Sequence, residues 1–193
     1  MERMVSINQT LTEDEKSVLL ELTYSAIEYG VPKGELLPIS ELEFTEALRV
    51  ERATFVTIRR KGKLRGCVGV TEAIRPLAVD VVLNAYAAAF CDSRFSPVSA
   101  WEVSDLEAQI SLLSPTEQLR FSSENDLLSQ LRPELDGIIL EEGILRASFL
   151  PVMWEKLPDA KEFFVQLKAK AGLPTDYWSE NIRVFRYTTE SIP

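Results

Sequence analysis

The residues able to do chemistry in this 193-residue chain gather in two short stretches, Leu64-Arg65-Gly66-Cys67-Val68-Gly69 and Cys91-Asp92-Ser93-Arg94. Alternate residues of a strand lie about 6.5–7 Å apart on one face, so Arg65 can stand beside the Cys67 sulfur. A neighbouring cation favours the thiolate, which makes Cys67 a candidate catalytic nucleophile. The other reading of Cys67 is a small apolar core residue, the usual fate of a free cysteine. Arg65 and Arg94 are candidates to converge on an anion, with Asp92 orienting one guanidinium, because arginine's fork matches carboxylate and phosphate. The same three residues can equally close an internal salt bridge. Gly66 and Gly69, a weak GxxG spacing, are candidate ligand-binding positions beside them. Arg146, with Ser148, is a candidate to line a pocket; the alternative is a core hairpin carrying an exposed arginine.

What is missing narrows the chemistry further. The chain has no histidine. That removes Ser-His-Asp and Cys-His nucleophile systems and every His-containing zinc or iron site. Cys67 and Cys91 are far apart in sequence and form no CxxC, so a metal or iron–sulfur site within one chain is not expected. Asp92 lacks the carboxylate partner that an oxygen-held Mg²⁺ requires. There is no GxxxxGK[ST] loop and no GxGxxG after a strand. No metal and no cofactor is expected.

The elements that must position these residues are legible. Thr12 with Glu15 forms a capping box that opens a first helix, and Gly30 is expected to close it. Residues 53–60 read as a strand, Lys61-Gly62-Lys63 as a hairpin turn and residues 64–70 as the returning strand. Uninterrupted alternation puts Leu64, Gly66 and Val68 on one face, with Arg65, Cys67 and Gly69 on the other. Pro76 starts a second helix that runs to about Phe90, apolar nearly all round and therefore buried. The loop from Cys91 to Val98 carries charge straight off it. Residues 106–112 alternate as a half-buried strand. Ser123 caps a short helix, residues 137–150 form a second hairpin, Pro151 and Asp159 open two more helices, and residues 182–188 close the chain as a strand. Hairpins mixed with helices predict an α+β fold with antiparallel sheets.

The composition is that of a globular protein, with 46% hydrophobic and 26% charged residues. Only two cysteines, no apolar leader and no long apolar run point to a cytoplasmic protein. Asn8-Gln9-Thr10 matches a glycosylation sequon, which without a leader reads as chance. The net charge of −9 argues against non-specific binding to nucleic acid or membrane. The charge is uneven: residues 1–50 carry a net −6, residues 51–65 a net +5. The basic stretch is either a solvated tip that protects a strand edge or a local anion or partner site.

At Leu64-Arg65-Gly66-Cys67-Val68-Gly69 the chain resembles the signature hexapeptide of the AMMECR domain family. Ala89-Phe90-Cys91-Asp92-Ser93-Arg94-Phe95, Gln109-Ile110-Ser111-Leu112-Leu113 and Arg146 to Trp154 agree with that family in order, as does the stretch from Phe163 to Leu173. Cys91 stands where the resemblance leads one to expect a more polar residue. The resemblance implies one AMMECR-type domain over residues 1–193, in two lobes sharing a core, built from antiparallel sheets flanked by helices. It implies no settled activity. It points to Memo-like and radical-SAM proteins as partners in a shared pathway. Together these readings lead to a binding or accessory module that recognises an anionic small molecule or a partner protein through a cleft at Arg65, Cys67, Asp92 and Arg94. The alternative is an enzyme using Cys67 as nucleophile.

Overall fold

The computed structural model describes residues 10–40 and 43–193. Residues Asn8 and Gln9 of the sequon lie outside them. Two compact units are present, one reaching to Leu113 and taking back Glu190–Pro193, the other Ser114–Thr189.

The first unit begins with α1 (Glu13–Lys33), whose capping box at Thr12 and Glu15 forms as expected. The helix does not end at Gly30. It continues through Pro32 to a left-handed Gly34, which donates its N–H to the Gly30 carbonyl. Gly30 is instead a contact point: a Cβ there would stand 2.5 Å from the Phe90 ring. After α2 (Glu46–Arg49) come β1 (Thr54–Arg60) and β2 (Lys63–Gly69), joined by a tight turn with Lys61 and Gly62 both at positive φ. Two consecutive left-handed residues give the turn the twist a two-residue hairpin needs. α3 (Leu77–Phe90) follows, then a 3₁₀ segment (Ala100–Asp105) and β3 (Leu106–Leu113). Together with β8 (Thr189–Ile192) these strands form an antiparallel sheet in the order β2-β1-β3-β8.

The core of this unit is the apolar face of that sheet against α1 and α3, with Leu19, Ile27, Val56, Ile58, Leu77, Val81, Ala85 and Ile110 sealed from solvent. One polar knot ties α3 to the start of β1. Fully buried Asp80 accepts the Thr54 N–H at 3.0 Å, the Thr54 hydroxyl at 2.7 Å and the Asn84 amide at 2.8 Å. Arg75 closes the knot at 2.7 Å. Burial pushes the Asp80 carboxyl up, against the pull of these donors.

The second unit holds β4 (Glu117–Leu119), α4 (Glu124–Gln130), β5 (Gly137–Glu142), β6 (Leu145–Phe149), a 3₁₀ segment (Pro151–Glu155), α5 (Ala160–Lys170) and β7 (Arg183–Tyr187). Its antiparallel sheet runs β4-β7-β5-β6. Ser123 caps α4 and Asp159 caps α5 as the sequence predicts. Trp154 stacks on Phe163 at 3.8 Å in the centre of this unit's own apolar cluster. The fold is α+β with two antiparallel sheets, as expected. Among the described residues no helix is long and apolar enough to cross a membrane.

Candidate functional site

The two stretches singled out in the sequence do meet. β2 is an outer strand, so one side of its backbone lacks a neighbouring strand. Cys67 sits opposite Thr57 of β1. Val70 gives its N–H to the Thr54 carbonyl, so by antiparallel alternation the N–H and C=O of Cys67 point outward. The loop after α3 fills the vacancy with side chains. Asp92 Oδ2 accepts the Cys67 N–H at 2.9 Å, and Arg94 Nη2 donates to the Cys67 carbonyl at 3.2 Å. A carboxylate–guanidinium pair thus occupies the position that a further strand would take.

The pair is tight. Asp92 takes Arg94 Nη2 at 2.6 Å, Arg94 Nε at 2.9 Å and the Arg94 N–H at 3.2 Å. These bonds, foremost those of the Arg94 side chain, hold the Asp92 carboxyl well below the usual carboxylate range and push the Arg94 guanidinium up. Asp92 is 6% exposed, whereas Arg94 is 55% exposed. Asp92 therefore serves as the fixed mount and Arg94 as the group presented to solvent.

Arg65 is placed differently from the expectation. The β1–β2 pairing slips between Ile58 and Arg59: Ile58 faces Gly66, but Arg59 faces Leu64. Arg65 is the extra residue of a β-bulge, which re-aims its side chain and breaks the expected alternation. It turns to Glu102, in the 3₁₀ segment before β3. Nε meets Oε1 at 2.8 Å and Nη2 meets Oε2 at 3.0 Å. Arg65 is 12% and Glu102 8% exposed, so the pair is largely desolvated. Glu102 Oε2 also accepts the Ser99 N–H at 2.9 Å. Arg65 foremost, then Ser99, pull the Glu102 carboxyl down to about 2 against the cost of burial. Arg65 Nη1 is buried and has no hydrogen-bond partner.

The cation beside Cys67 is accordingly Arg94, not Arg65. The sulfur accepts the Thr57 hydroxyl at 3.3 Å, and Arg94 Nη2 bonds the carbonyl of the same residue at 3.2 Å. Cys67 is partly exposed and Cys91 exposed, so neither is a sealed core cysteine. Both guanidiniums lie near the Phe95 ring, Arg65 at 6.0 Å and Arg94 at 5.5 Å from its centroid.

Gly66 and Gly69 have packing reasons to be glycine. A Cβ on Gly66 would stand 2.0 Å from the Ala88 carbonyl oxygen, and one on Gly69 2.3 Å from both Phe55 and the Thr54 carbonyl oxygen. Their absent side chains let β2 lie directly against α3 and β1. Arg146 belongs to the second unit, where it pairs with Glu141 at 3.2 Å on the neighbouring strand. Ser148 is engaged there too, its hydroxyl 2.9 Å from that of Tyr187. Burial drives the Tyr187 hydroxyl up to about 12.

Sequence reasoning missed Glu102, Thr57 and Phe95. Glu102 carried a signal: Ser99 and Glu102 have capping-box spacing, and the box forms. Thr57 and Phe95 carried none, because each matters only through what the sheet and the loop place beside it. Among the described residues no cluster of three or more Cys, Asp or Glu side chains is able to hold a metal.

The AMMECR1 family description matches residues 20–192. A protein of Methanothermobacter thermautotrophicus is 36% identical over 182 residues, 93% of this chain and 94% of that one. A protein of Thermotoga maritima is 34% identical over 166 residues, covering 85% and 90%. Among solved structures, the uncharacterized protein PH0010 of Pyrococcus horikoshii superposes with a TM-score of 0.86 at 29% identity, over 94% of this chain and 92% of that one.

Proposed function

The chain belongs to the AMMECR1 family, and from that premise and the geometry at the β2 edge we propose a binding or accessory module that recognises an anionic group, carried by a small molecule or a partner segment. The observation that carries this reading is the pair of guanidiniums flanking Phe95, each aimed by its own carboxylate and each with donors unspent. Arg94 spends Nε and Nη2 on Asp92 and the Cys67 carbonyl, which leaves Nη1 on a half-exposed side chain, and Arg65 keeps an unpartnered Nη1 beside its two bonds to Glu102. Since Asp92 and Glu102 neutralise the two cations, selectivity rests on directed N–H groups rather than on net positive charge. That favours carboxylate or phosphoryl oxygens, which accept charge-assisted N–H bonds.

The test is calorimetric titration of inorganic phosphate, malonate and citrate into the full chain. Arg94→Ala should lose binding, and Arg94→Lys should lose most of it, because a lysine restores the charge beside Asp92 but not the planar fork. Unchanged affinity in Arg94→Ala with an unchanged unfolding midpoint refutes the reading.

A second reading has its own observation. Cys67 is partly exposed, accepts a hydroxyl hydrogen bond and stands beside a cation. Reactive cysteines occupy such electropositive, accessible positions. On this reading Cys67 is a nucleophile, and it reacts with iodoacetamide in the native Cys91→Ser protein. A Cys67 that alkylates only after unfolding ends it.

A further inference from the structure

Residues 59–65 hold Arg59, Arg60, Lys61, Lys63 and Arg65, and the β2-edge site uses only the last of these. In sequence the stretch lacks an aromatic residue. The fold supplies one. Trp101, in the 3₁₀ segment before β3, stands beside the hairpin tip, with the Arg60 guanidinium 4.4 Å from its ring centroid.

Trp101 is 67% exposed, although tryptophan is highly buried on average. Trp154, by contrast, is sealed in the second unit's core. Arg60 is locked in place under the indole: Nη2 bonds Asp105 at 3.1 Å. Lys61 reaches the same carboxylate only at 3.9 Å and stays exposed, as does Lys63. Two of the three carboxylates nearby are already committed. Glu102 holds Arg65, Asp105 holds Arg60, and Glu107 lies opposite Arg59 across β1 and β3. Three carboxylates against five cations leave the tip at a net +2 within a chain of net −9. Screening confines each exposed charge to about 8 Å at physiological salt, so the tip acts by itself rather than as part of the acidic whole.

We propose that Trp101, Arg60, Lys61 and Lys63 form a docking surface for an acidic segment of a partner protein. The segment lays an apolar side chain on the indole and sets its carboxylates against the two lysines. Tryptophan and arginine are the residues that dominate protein–protein hot spots, and here they are stacked and prearranged. A single indole suits one anchoring side chain. Single-stranded nucleic acid needs a series of aromatic faces along a basic track, which this tip does not offer. The surface shares no residue with the anion site at Arg94.

The test uses the full chain and an acetylated, dye-labelled Glu-Glu-Leu-Glu-Glu peptide, with anisotropy as the readout. Saturable binding that weakens as salt rises is expected. Trp101→Ala, and separately the pair Lys61→Glu with Lys63→Glu, should each weaken it about tenfold or more, the mark of an interface anchor. All three positions are exposed, so the unfolding midpoint should hold. Wild-type affinity in Trp101→Ala, absence of saturable binding, or tighter binding of an oligothymidylate of equal charge each overturns the proposal. Phosphate titration of Trp101→Ala separates the two sites: retained phosphate binding leaves the Arg94 reading standing whatever the peptide does.

Discussion

Replacing Glu102 with glutamine should cost stability in a way that pH can switch off. The carboxylate holds Arg65 through two hydrogen bonds and receives the Ser99 N–H, in a position only 8% exposed. Its folded value is drawn from an ordinary 4.5 down to about 2. At about 1.4 kcal/mol per pH unit, that drop corresponds to about 3 kcal/mol of stability at neutral pH. Glutamine keeps one acceptor but turns an N–H₂ toward donors, so Glu102→Gln should lose about 2–3 kcal/mol, in line with breaking a desolvated ion pair. The sign follows from the downward displacement. A depressed carboxyl stabilises above its unfolded value, and that contribution fades as pH falls from 4.5 toward 2. Urea unfolding followed by circular dichroism should show the full deficit at pH 7, and a deficit that shrinks steadily below pH 4.5. A variant as stable as the parent at pH 7, or a deficit that does not change down the acid limb, refutes the assignment of Glu102 as the mount for Arg65.

The Asp80→Asn deficit should run the opposite way with pH: burial raises this carboxyl, so its ionisation opposes folding, and the deficit measured by urea unfolding should be larger at pH 3 than at pH 7. Gly66→Ala should cost about 2–3 kcal/mol, read from the same unfolding curves, because the added carbon would meet the Ala88 carbonyl at 2.0 Å and β2 would have to move off α3. In the Cys91→Ser background, Arg94→Ala should slow native alkylation of Cys67 several-fold, followed by mass spectrometry, since it removes the cation bonded to the Cys67 carbonyl; an unchanged rate means Arg94 does not act on the thiol.

Most of the fold was legible because its signals are local. The Thr12–Glu15 box, the Ser123 and Asp159 caps, the Lys61-Gly62 turn and the alternation in β3 each act within a few residues. The departures came where tertiary contact decides. Gly30 looks like a helix stop, yet α1 runs on past it, because the missing side chain is what lets the Phe90 ring approach. β4 has three residues and β8 four, too short for a periodic pattern, and each exists only because a longer strand offers it an open edge.

The site was legible in membership more than in wiring. Arg65, Cys67, Asp92 and Arg94 do gather, since β2 and the end of α3 must pack together wherever Gly66 lies on Ala88. Which carboxylate serves which arginine turned on one inserted residue. Without the bulge, period-2 geometry would leave Arg65 beside Cys67; with it, Arg65 is delivered to Glu102 and the place by the sulfur falls to Arg94. A bulge is invisible to alternation because it is a break in alternation. The consequence is one of access: the buried cation is immobilised and the exposed one stands open to solvent. The two arginines are therefore unequal, and the sharper test of recognition falls on Arg94 rather than on the residue inside the signature hexapeptide.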